Sequence, residues 1–105
     1  MAKDLVLWCS SIPSGNVGLF FHGANMGQVP FGDGFLCALS NLVRLNPPAV
    51  ADATGNLTKV VDFDSNGVMG IVSGATRNFQ CWYRDQAAMA SGFNLSNGLS
   101  IQFTP

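Results

Sequence analysis

Glutamate is missing from this chain, and charge of either sign is scarce. Lys and Arg together number 5, Asp supplies the 6 acidic residues, and charged residues make up 10% of the 105, against roughly a quarter in ordinary soluble domains. So few cations leave no basic stripe to neutralise phosphates, so nucleic acid is not an expected partner. No apolar run approaches the roughly 20 residues that a bilayer-spanning helix needs, so no membrane insertion is expected. Met1-Ala2-Lys3-Asp4 leads straight into a strand pattern, with no apolar core and cleavage site of a signal peptide. Histidine occurs once, at His22, which excludes a paired-imidazole metal or proton-relay site. A surface this poor in charge is expected to be flat, polar and prone to association.

The catalytic signatures are missing too. The glycines at Gly23, Gly27, Gly32 and Gly34 carry no P-loop lysine and no helix of the right period follows, so this stretch reads as a structural loop with Phe31 plugging it onto the core. No Gly-x-Ser-x-Gly elbow is present. A Cys-His pair from Cys9, Cys37 or Cys81 with His22 lacks a third group to orient the base. His22 therefore reads as a structural or surface residue, and the chain as no enzyme, with no cofactor.

What is present is apolar residue in short, punctuated runs, 48% of the chain. Residues 4–9 alternate with apolar groups on both faces, predicting a strand inside a sandwich. Ser10 to Asn16 supplies turn chemistry and Val17 to His22 runs back, so these two strands are expected to form a hairpin. Phe35 to Leu39 and Leu42 to Leu45 read as one strand interrupted at Ser40-Asn41, or as two, ended by Asn46-Pro47-Pro48 because proline cannot donate to a ladder. Asn56 to Phe63 forms another strand, with a turn at Asp64 to Gly67 and a weaker apolar segment, Val68 to Val72. Asp85 is placed to cap a helical turn over Gln86 to Met89, with Gly92 at its stop. Asn97-Gly98 is a tight-turn signal before Leu99 to Phe103, a final strand with one wet face.

About seven short strands and no amphipathic helix predict an antiparallel β-sandwich, one domain over residues 1–105, with a small β-barrel as the alternative. Its longest aromatic-bearing strand signal is Arg77 to Asp85. Successive strand side chains face opposite ways, which puts Phe79, Cys81 and Tyr83 on one side and Asn78, Gln80, Trp82 and Arg84 on the other. The second set combines a large ring with amide and guanidinium groups, which suits planar polar ligands such as sugars, and protein contacts. Asn78, Gln80, Trp82 and Arg84 are thus the candidate ligand-binding residues. The competing reading puts Trp82 beneath residues 86–98, with Arg84 on loop carbonyls.

Asp62-Phe63-Asp64-Ser65-Asn66-Gly67 opens like a calcium-binding EF-hand loop. Its twelfth place holds Ser73 where a bidentate Glu is required, and no helices flank it, so Asp62, Asp64 and Asn66 are a weak calcium candidate and a plain turn is favoured. Cys9, Cys37 and Cys81 each read as a small buried hydrophobe in a strand; they also allow three alternative single disulfides with one thiol over, a choice that sequence leaves open.

Asn78-Phe79-Gln80-Cys81-Trp82-Tyr83-Arg84-Asp85, followed by Gly92-Phe93-Asn94-Leu95-Ser96 and a last strand, resembles a β-domain at the C-terminal ends of large exported proteins of aquatic bacteria. Gly18 to Gly23, Pro30 to Gly34 and Ser73 to Arg77 extend the likeness over nearly the whole chain. The resemblance implies an accessory, non-catalytic module, exported or at the cell surface, with no catalytic residues to carry over. Similar domains continue upstream with another strand, whereas here the first strand lies beside Met1, so an unpaired edge is expected. A bacterial source would make the sequons at Asn56 and Asn94 chance matches.

Two functions follow as expectations. One is surface attachment or recognition, with a glycan or another exported protein as the ligand. The other is a structural subunit that forms a homo-oligomer through edge strands or low-charge faces.

Overall fold

The computed structural model describes residues 5–10, 12–31, 34–61, 70–85, 92–96 and 98–103. Within them run β1 (Val6–Cys9), β2 (Val17–Gly23), β3 (Asn25–Phe31), β4 (Gly34–Leu39), β5 (Val43–Val50), β6 (Leu57–Val60), β7 (Thr76–Arg84), β8 (Phe93–Leu95) and β9 (Leu99–Gln102), and no helix. Every strand pairing is antiparallel. β5, β2 and β7 lie side by side in a five-stranded sheet, and β8 and β9 divide the far edge of β7 between them. The β1–β6 pair packs on one face of this sheet and the β3–β4 hairpin on the other. The sheets do not close into a barrel, so the chain is an all-β protein of sandwich type.

β7 is the axis of the molecule because both of its faces are buried from Arg77 to Cys81. Phe79 and Cys81 face β1 and β6, in one core with Leu7, Phe20, Leu45 and Leu57. Burying a side chain as completely as Leu57 is buried contributes about 1.5–3 kcal/mol. Gly18 lets the layers meet there: a Cβ on it would lie 2.6 Å from Leu57 Cδ2. Asn78 and Gln80 point the other way, under the hairpin.

The local strand pattern is recovered in most places, and the departures have identifiable causes. β1 pairs with β6 instead of forming a hairpin with β2. The connection carries the chain between sheets, pinned by the buried Ile12, whose N–H donates to Gly55 O at 3.0 Å. The glycine-rich stretch expected to be a loop holds β3, paired from Asn25 to Phe31 with β4. Its glycines serve close approach: a Cβ on Gly23 would lie 2.5 Å from Leu39 O, and one on Gly27 2.6 Å from Leu39 Cδ1. Pro47 and Pro48 do not end their strand, because β5 is an edge strand whose register shifts against β2 where they lie, so missing donors cost little.

Ser40 and Asn41, with φ of 63° and 49°, separate β4 from β5, so this region is two strands. β1 is covered on one face only: Val6 is 58%, Trp8 63% and their neighbour Val60 70% exposed, against the expectation of two packed faces. The calcium candidates Asp62, Asp64 and Asn66, the turn at residues 64–67 and the helical turn at residues 86–89 lie outside the described residues.

Candidate functional site

The four residues singled out on β7 divide into two pairs. Gln80, 2% exposed, spends its whole amide inside the protein. Its Oε1 accepts from the N–H groups of Cys37 at 2.8 Å and Ala38 at 3.3 Å, while Nε2 donates to Phe35 O and Ser96 O, both at 2.7 Å. Asn78 Nδ2 donates to Gly23 O at 3.4 Å and its Oδ1 accepts from the Ser100 hydroxyl. These amides fasten the hairpin and the β7 edge to the sheet.

Trp82 and Arg84 remain at the surface. The Trp82 ring packs tilted against Phe93 at 5.4 Å between centroids, Phe93 meets Phe31 at 5.5 Å, and the Arg84 guanidinium carbon lies 5.7 Å from the Trp82 ring centre. Strand register builds this ladder, since Leu19 lies opposite Trp82 on β2 and Arg84 opposite Phe93 on β8. Below it is a cleft of about 550 Å³ between the sheet and the hairpin, floored by Leu19, Phe21 and Leu36 and edged by Arg44. An apolar trough with aromatic walls and cations at its rim suits a flat ligand with an apolar face and polar edges. Phe31, Phe93 and Arg44 belong to this site and were missed as such in the sequence. They come from three strands, and no local pattern links them.

The remaining polar core is structural. His22 is fully buried against Phe79, and its Nδ1 accepts from Arg77 Nε at 2.9 Å, which leaves the imidazole proton on Nε2. Arg77 also donates to Asn41 O at 3.2 Å, and burial lowers its pKa. Among the described residues no group of three or more His, Cys, Asp or Glu is placed to hold a metal ion.

A second cleft, of about 660 Å³, runs along β1 and faces β7, β8 and β9. Cys9 and Cys81 both line it as free thiols, the first half-buried and the second fully buried. A hydrogen bond from Cys81 holds the Cys9 pKa down at about 7 against the opposing effect of burial, with help from Ser96. The same contact, burial and the nearby Cys9 charge push Cys81 far up.

The fold defines a class, an antiparallel all-β protein of sandwich type. Compared with known proteins, the chain matches no family model, no curated protein and no solved structure.

Proposed function

We propose that this chain is a non-catalytic accessory module of exported bacterial proteins that recognises a glycan at the aromatic cleft below Trp82. The observation that carries this reading is the ladder of Phe31, Phe93, Trp82 and Arg84 standing at the mouth of an apolar trough. Sugars offer such a site an apolar ring face and a hydroxyl rim for Arg44 and Arg84.

A Trp8→Phe background leaves Trp82 as the sole indole. Titration with a panel of neutral oligosaccharides should then give a saturable change in its fluorescence for at least one of them. Trp82→Ala should weaken that ligand at least tenfold in calorimetry while the melting temperature stays within a few degrees. A panel with no saturable response removes the glycan reading and leaves a protein ligand to be sought. Collapse of the fold on Trp82→Ala would show the ring to be core.

A second reading, a self-associating structural subunit, is favoured by β1. Among the described residues β1 pairs with β6 alone, and it exposes Val6 and Trp8 beside Val60. Light scattering should then show a concentration-dependent oligomer that Trp8→Lys dissolves. An oligomer that survives this substitution is not built on the β1 face.

A further inference from the structure

We propose that Cys9 and Cys81 form a disulfide that staples the β1–β6 layer to the five-stranded sheet, with Cys9 as the thiol that first attacks a small disulfide oxidant. The two residues belong to different sheets, yet both line one cleft. Three contacts bring them together. Cys9 lies opposite Leu57 in the β1–β6 register. The Cβ position of Gly18 lies between Leu57 Cδ2, at 2.6 Å, and Cys81 Sγ, at 3.4 Å. Cys9 packs against the core cluster that contains Cys81. Cys37 is on β4, beyond the opposite face of the sheet, which leaves Cys9–Cys81 among the three pairings open in the sequence.

Accessibility sets the order of events. Half-buried Cys9 can be reached from the cleft, whereas Cys81 is 0% exposed. The Cys9 thiolate attacks a disulfide such as oxidised glutathione, forming a mixed disulfide and releasing one glutathione thiolate. Cys81 then loses its proton and its sulfur attacks Cys9 Sγ, expelling the second glutathione as thiolate. Two protein thiols are oxidised, one disulfide is reduced to two thiols, and both protons leave with the glutathione. An inter-sheet bridge of this kind is well known in sandwich domains. It closes a long loop, so oxidation should raise the melting temperature by roughly 10–30 °C.

The inference stands apart from the glycan reading and can fail independently of it. The full chain and its Cys37→Ser variant are treated with oxidised glutathione, trapped with iodoacetamide and mapped by peptide mass spectrometry without reduction. Before alkylation both proteins should weigh two hydrogen atoms less, and both should yield a Cys9–Cys81 cross-linked peptide. Cys37 should be the alkylated site in the full chain, and dithiothreitol should reverse the stabilisation. A stable glutathione adduct on Cys9 with Cys81 still reduced would overturn the proposal. So would a cross-link that includes Cys37, or two thiols that both remain unreacted.

Discussion

Replacing Gln80 with leucine tests whether one buried amide fastens the β3–β4 hairpin to the central sheet. The change keeps the side chain near its original size and removes all four hydrogen bonds, stranding the N–H groups of Cys37 and Ala38 and the carbonyls of Phe35 and Ser96. An unsatisfied buried group costs about 1–3 kcal/mol. The two N–H groups sum to about 4 kcal/mol, because Ala38 is fully buried and Cys37 partly so. The carbonyls, which have further lone pairs and are part-buried, add less. Leucine returns about 1 kcal/mol through its greater apolar burial. The net loss is about 3 kcal/mol, a large share of the roughly 5–15 kcal/mol that holds a domain together.

The melting temperature should therefore fall by about 12–24 °C. Urea unfolding should show a lower midpoint at unchanged slope. Amide exchange should locate the damage at Cys37 and Ala38, with the β2–β7 ladder still protected. A loss below about 0.5 kcal/mol, with those two amides still protected, would refute the reasoning and leave apolar contacts as what holds the hairpin.

Three further outcomes follow from the packing and the ionisable groups. Gly18→Ala should destabilise by about 1–3 kcal/mol in denaturant titration, since its Cβ would meet Leu57 Cδ2 at 2.6 Å and the Trp82 carbonyl at 3.3 Å; a neutral result would mean the two layers separate easily. Asp52 Oδ1 accepts from Asn56 N–H, the Thr54 hydroxyl and Thr54 N–H, bonds that lower its pKa. Its stabilisation is therefore complete above the unfolded carboxyl pKa and lost as pH falls through the lower folded value, so Asp52→Ala should flatten the acid limb of a stability-versus-pH curve. Alkylation of Cys9 should be half-maximal near pH 7, and Cys81→Ala, which removes the hydrogen-bond donor, should move that midpoint upward. An unchanged midpoint would mean Cys81 does not set the reactivity of Cys9.

The strand content and the two faces of β7 were legible because side-chain alternation is a local property. Phe79 and Cys81 are core, and Asn78 and Gln80 oppose them, as the period of two requires. The role of Gln80 was not legible, because its partners lie on β4 and beside β8, brought near only by the sheet. Glycine misled for a related reason. At Gly23 and Gly27 it marks backbone pressed against Leu39 within a strand pair, yet alone in the sequence it is also a loop residue.

By itself, then, the sequence determined an all-β chain and the central place of β7. Only the tertiary structure decided that β1 pairs with β6, that Trp82 stands with Phe31 and Phe93 over a trough, and that Cys9 and Cys81 line one cleft. The physical reason is that alternation and turn chemistry act over a few residues. The choice of partner strand is instead settled by apolar burial and hydrogen-bond satisfaction among segments distant in the chain.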